Sequence, residues 1–214
     1  MKVGVLASGS GTNLQALIDA GPRGELGPAR IVVVGANVAD CGALERAGKA
    51  GIPTFQRSHR DFAQREDFDH ALVDELRRHG VGLVALAGFM RILPPAFLDA
   101  FPRRVVNIHP ALLPSFPGVH AQKQAFDSGV RFSGCTVHFV DAGTDTGPVI
   151  AQAVVPVLDG DDEEAVRLRI LAEEHRLYPA VLRAIAEGRV SVDGRRVHVR
   201  GTPVGLADAR LRSL

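Results

Sequence analysis

The sequence predicts an open, doubly wound α/β fold with a mostly parallel sheet, and three observations predict it. Short, nearly unbroken apolar runs recur along the first half of the chain, amphipathic stretches of helical spacing separate them, and a glycine-rich turn joins the first run to the first helix. Runs without polar alternation are what a parallel sheet covered on both faces requires. Strand and helix in strict alternation build such a sheet through right-handed crossovers.

Taken in order, residues 3–7, 31–35, 52–55, 83–87 and 105–108 read as buried strands, and residues 13–20, 42–50, 61–79 and 95–100 as the helices among them. A further helix starts near His120. Two β runs follow, 132–140 and 149–157, parted by a loop at 141–148 rich in Gly, Asp and Pro. Asp161-Asp162-Glu163-Glu164 complements the positive end of a helix dipole and opens a helix to about Glu187, which Pro179 is expected to bend or divide. Residues 190–199, with Asp193-Gly194 at the turn, predict a hairpin, and a polar tail follows. All of this reads as one domain, with 1–189 as the main body and 190–214 as a hairpin and tail belonging to it.

A chain of 214 residues buries roughly 70% of its unfolded surface, so a sizeable core is available. Lys plus Arg number 25 against 24 Asp plus Glu, and this balance points to small-molecule substrates rather than nucleic acid or membrane headgroups. The cluster Arg195, Arg196, His198 and Arg200 reads as a solvated hairpin edge. Cys41 and Cys135 lack the spacing of a zinc site or a disulfide framework and suit a reducing compartment. No apolar run approaches ~20 residues, and the start is too short of apolar residues for a signal peptide. The expectation is a cytoplasmic protein, monomer or homodimer, that binds no metal.

Ser8-Gly9-Ser10-Gly11-Thr12-Asn13 lies between a strand and a helix, where free backbone N–H groups at the positive helix end suit a phosphate. Leu14 stands where a dinucleotide fingerprint needs its third glycine, and the lysine of a Walker A motif is absent, so a monophosphate fits better. The alternative is a plain strand-to-helix turn capped by Thr12 or Asn13. Farther on, Asn107 and His109 stand two apart at the end of an apolar strand and project to one face, where they can act on one atom. A polar cap on the sheet is the structural alternative. Among the other histidines, His59, His70 and His79 read as surface residues, and His138 as one without a paired ligand.

These segments, with Ala87-Gly88-Phe89-Met90-Arg91-Ile92-Leu93, Asn107-Ile108-His109-Pro110 running to Pro114, Asp145-Thr146-Gly147-Pro148-Val149-Ile150, and Glu174-His175 with Tyr178-Pro179, resemble the phosphoribosylglycinamide formyltransferase family of the folate-dependent type. The resemblance covers roughly residues 2–188. It implies a formyltransferase-like fold with a Rossmann-type N-terminal half. It also implies transfer of a formyl group from 10-formyltetrahydrofolate, as co-substrate, to the amine of glycinamide ribonucleotide in de novo purine biosynthesis. Asn107 and a protonated His109 would stabilise a tetrahedral oxyanion, with Asp145 orienting the imidazole and assisting proton transfer. Gly11, Thr12 and Asn13 would hold the substrate phosphate, and Glu174 the glycinamide end. Arg65, Met90, Arg91, Ile92, Leu93, Val140 and Asp141 would meet the folate, and His120 matches a position near the substrate.

Two positions depart from the family pattern. Ser115 stands where many relatives carry Lys, and Val38 where a basic residue is common, so the cations around the substrate differ. A methionyl-tRNA formyltransferase would carry a further β-barrel domain and a basic surface, and a formyltetrahydrofolate hydrolase an N-terminal regulatory domain. A nucleotide-binding module without chemistry is the alternative from another class.

Overall fold

The computed structural model describes residues 1–201; the polar tail expected beyond them lies outside the described residues. Strands β1 (Lys2–Ala7), β2 (Arg30–Ala36), β3 (Thr54–Gln56), β4 (Leu83–Leu86), β5 (Val105–His109), β6 (Phe132–Phe139) and β7 (Val149–Pro156) form one sheet in the order β3-β2-β1-β4-β5-β6-β7. The first five run parallel, and β6 and β7 pair antiparallel. Helices α1 (Thr12–Ala20), α2 (Gly42–Lys49), α3 (Arg65–Arg78), α4 (Pro95–Ala100), α5 (Ala121–Asp127) and α6 (Glu163–Ala186) accompany the sheet, and β8 (Val190–Asp193) with β9 (Arg196–Val199) makes the hairpin. The α/β class and the mostly parallel sheet are as the sequence predicts.

Covering on both faces explains the apolar runs. β1 sends Val3, Val5 and Ala7 into a core shared with Leu14 and Leu17 of α1, Ala43 and Ala47 of α2, and Ile170 and Leu182 of α6. It sends Leu6 to the other face, against Phe68, Leu72 and Leu76 of α3 and Phe97 of α4. Truncating a fully buried leucine such as Leu72 to Ala in such a core costs about 2–5 kcal/mol.

Three element expectations need correction. Pro179 does not divide α6, which runs unbroken from Glu163 to Ala186. Both halves bury apolar side chains in the same core, and the Tyr178 hydroxyl shares its proton between the carbonyls of Leu86 (2.8 Å) and Val106 (3.2 Å); this outweighs the ~3 kcal/mol penalty of an interior proline. β3 begins at Thr54 rather than Ile52 because the Ile52 N–H closes the end of α2 on the Ala47 carbonyl and Pro53 has no N–H. The helix expected from 61 begins at Arg65, since Phe62 is extended (φ −120°, ψ 137°) and ends a separate 3-10 turn, His59–Asp61, capped by Ser58.

Chain direction across the sheet reverses beside β1. The path steps outward from β1 to β2 and β3, then returns to β4 on the other side of β1. The carboxyl ends of β1, β4 and β5 therefore border one crevice, the place where open α/β sheets bind ligands.

Candidate active site at the carboxyl ends of the strands

The turn after β1 is built from backbone. Gly11 is the N-cap of α1 in the left-handed region (φ 73°, ψ 28°), and no side chain caps the helix. A Cβ on Gly11 would stand 2.6 Å from the Ala43 Cα, so only glycine lets the turn pack on α2 in this conformation. Neither Thr12 nor Asn13 caps the helix as the plain-turn alternative required. The first N–H groups of α1 keep the dipole-assisted geometry that holds an anion. Arg46 of α2 brings a guanidinium here, donating through Nε to the Ser10 carbonyl (2.9 Å) and through Nη1 to Gln15 Oε1 (3.2 Å).

Asn13 connects this cradle to α6, its Nδ2 donating to Glu174 Oε2 at 3.2 Å. Its Oδ1 is buried and has no partner among the described residues. Glu174 is 4% exposed, and burial pushes its carboxyl up to about 7 although the Asn13 amide pulls the other way.

The second half of the site is a cluster of side chains. Asp145 comes from the β6–β7 loop with φ 54°, a left-handed conformation that Asp tolerates better than most residues. Gly147 lets the loop turn back, since a Cβ there would lie 1.8 Å from the Phe139 carbonyl oxygen. Asp145 Oδ2 lies 3.3 Å from His109 Nδ1 and accepts the Gly118 N–H at 2.8 Å. His109 is 4% exposed, and its Nε2 lies 2.8 Å from the Phe116 carbonyl. Either neutral tautomer leaves one of these contacts with two facing lone pairs, and only the imidazolium satisfies both.

Burial nevertheless holds the His109 pKa below the ordinary histidine value, against the pull of the Phe116 carbonyl and the Asp145 carboxylate. Burial works to raise the Asp145 carboxyl, but the nearby His138 ring, the Gly118 N–H bond and the His109 imidazole outweigh it and leave the pKa below the usual value.

His138 is the residue that sequence reasoning passed over. It sits directly across from Asn107 in the β5–β6 ladder. Its Nε2 is 3.3 Å from Asn107 Nδ2 and 3.6 Å from Asp145 Oδ1. The signal that would have found it was the antiparallel register, which no short motif carries.

The segment after β4 forms the outer wall. Met90 is 70% exposed and Ile92 is exposed as well. Ser8 Oγ accepts the Met90 N–H (2.9 Å) and donates to Asn37 Oδ1 (2.5 Å), tying this wall to the glycine turn. The Arg91 guanidinium stacks 4.8 Å from the centre of the Phe68 ring. Arg65 Nη2 donates to the Ile92 carbonyl (2.6 Å). Leu93 is only 2% exposed and packs in the second core, so it anchors the wall more than it lines it. Val140 donates its N–H to the Val105 carbonyl (2.9 Å). Asp141 Oδ1 is engaged within its loop, accepting from the Gly143 N–H (3.1 Å) and Thr146 Oγ1 (2.6 Å). His120 is the exposed N-cap of α5, and its side chain makes no capping bond.

Among the described residues no group of three or more His, Cys, Asp or Glu is arranged to hold a metal ion. Among the same residues no helix is long and apolar enough to cross a membrane.

Comparison with known proteins gives a consistent result. Residues 1–182 match the formyl transferase family model. The chain is 49% identical over 193 residues to a trifunctional purine biosynthetic protein, adenosine-3, of Chironomus tentans, covering 90% of this chain and 14% of that protein. It therefore spans about one seventh of the length of that relative. It is 49% identical over 191 residues to a phosphoribosylglycinamide formyltransferase of Mycobacterium tuberculosis, covering 89% of this chain and 87% of that one. Among solved structures, glycinamide ribonucleotide transformylase 1 from Symbiobacterium toebii superposes with a TM-score of 0.90 at 52% identity over 93% of each chain.

Proposed function

The chain belongs to the formyl transferase family, within the phosphoribosylglycinamide formyltransferases, and from that membership we propose that it moves a formyl group from 10-formyltetrahydrofolate to the amine of glycinamide ribonucleotide. The observation that supports the mechanism is the contact of His109 with Asp145, with Asn107 two residues before His109 on the same strand. Asn13, Thr12 and Gly11 receive the substrate phosphate through backbone N–H groups, with Arg46 as the nearby cation. The unpartnered Asn13 Oδ1 and the buried Glu174 take the polar groups at the glycinamide end. Met90 and Ile92 supply apolar surface for the pterin, and Arg65 and Arg91 supply guanidinium groups for the carboxylates of the folate.

As the amine attacks the formyl carbon, negative charge grows on the carbonyl oxygen, and Asn107 N–H and His109 Nε2–H donate to it once substrate replaces the Phe116 carbonyl. Burial disfavours the imidazolium in the resting site, so its stabilisation is realised mainly when the oxyanion appears opposite it. An interaction stronger in the transition state than before it is the kind that accelerates the reaction. Asp145 keeps the imidazole oriented and favours its charged form while the proton lost by the amine reaches the leaving folate nitrogen.

The test is an absorbance assay with both substrates. Folate turnover that requires glycinamide ribonucleotide is expected. Turnover without the amine would identify a hydrolase, and binding without turnover a module that carries no chemistry.

A further inference from the structure

We infer that His138 is a positioning residue whose unprotonated Nε2 accepts an Asn107 N–H and so fixes which way the Asn107 amide faces. The inference rests on the reading of Asn107 as an oxyanion donor. It starts from the 2% exposed His138 ring, whose Nδ1 lies 2.9 Å from the Phe139 carbonyl. A carbonyl only accepts, so that contact puts the proton on Nδ1 and leaves a lone pair on Nε2. Asn107 Nδ2 meets this lone pair at 3.3 Å. With one amide hydrogen committed there, the amide cannot turn over without setting its oxygen against the lone pair, and the second hydrogen stays available to the crevice.

The backbone makes the pairing dependable. Asn107 and His138 are direct partners in the antiparallel ladder, and β6 shifts register against β7 between Val137 and His138. The rival role for His138 is a direct grip on Asp145, whose Oδ1 lies 3.6 Å from the same Nε2. That role needs a proton on Nε2, which the Asn107 contact excludes in the neutral ring.

A double-mutant cycle separates the two. Asn107→Ala, His138→Leu, the double variant and His138→Gln are compared for kcat and KM. His138→Leu is expected to lower kcat by about 10- to 100-fold with KM for glycinamide ribonucleotide changed less than ~3-fold. His138→Gln keeps an acceptor close to the Nε2 place and is expected to restore most of that loss. In the Asn107→Ala background, His138→Leu should have no further effect.

An equal loss in both backgrounds would overturn the inference and assign His138 to Asp145 or to packing. Normal turnover by Asn107→Ala would instead remove the mechanism on which the inference stands. Should His138→Leu fail to fold, nitrogen NMR shifts of the unaltered protein at neutral pH decide. The Nδ1–H tautomer with a bare Nε2 is expected, and an Nε2–H tautomer or an imidazolium would overturn the proposal.

Discussion

The two halves of the crevice are built from different materials. At the start of α1 the proposed phosphate cradle is made of backbone N–H groups, held by one glycine at φ 73° pressed against Ala43. At the ends of β5 and β6 the proposed catalytic cluster is made of Asn107, His109, His138 and Asp145, side chains drawn from two strands and a loop. The backbone half is local in sequence and insensitive to pH, because peptide groups do not titrate. The side-chain half is assembled over a span from 107 to 145, and burial tunes its ionisation. Injury to the first should therefore appear in binding, and injury to the second in turnover.

The largest expected effect breaks the side-chain half. Asn107→Ala and His109→Ala should each lower kcat by about 10²- to 10³-fold, the loss of about 3 kcal/mol of transition-state stabilisation, with smaller changes in KM. Steady-state kinetics on folded variants check this, and near-normal turnover in either would remove that residue from the mechanism.

Gly11→Ala breaks the backbone half. The left-handed φ costs an alanine about 1–2 kcal/mol and its Cβ collides with Ala43. We expect KM for glycinamide ribonucleotide to rise by ~10-fold or more while kcat at saturation changes less. An equal loss in kcat would mean that the two halves are not separable in this way.

Glu174→Gln sharpens the comparison with the smallest effect. Burial raises the Glu174 pKa from 4.5 to about 7, so folding favours the protonated form. The stabilisation is whole below the unfolded value and is lost as pH rises through about 7. Between about pH 4.5 and 7 the unaltered protein should therefore lose roughly several degrees in melting midpoint relative to Glu174→Gln, with no further change above that range. Parallel melting curves for the two proteins across that range would contradict the assignment.

The same division explains what the sequence made legible. The doubly wound sheet could be read because each covered strand writes its own apolar run, and the glycine turn because its residues are consecutive. Asn107 and His109 could be read as a pair because a strand of period two puts them on one side. His138 could not, since its pairing with Asn107 depends on the β5–β6 register. Arg46 could not either, since the family pattern puts a basic residue at the positions of Val38 and Ser115, whereas here the guanidinium reaches the turn from α2. That Pro179 leaves α6 undivided could not be read, since the Tyr178 hydroxyl bonds and the buried side chains around it belong to the assembled fold.

The measurement that tests the account most directly is the kcat–pH profile of Asp145→Asn beside that of the unaltered protein. The Asp145 carboxylate, 3.3 Å from His109 Nδ1, favours the imidazolium. Its removal should lower kcat and move the limb that titrates His109 to lower pH. A profile that falls in height but keeps both limbs in place would contradict the coupling of His109 to Asp145 on which the mechanism depends.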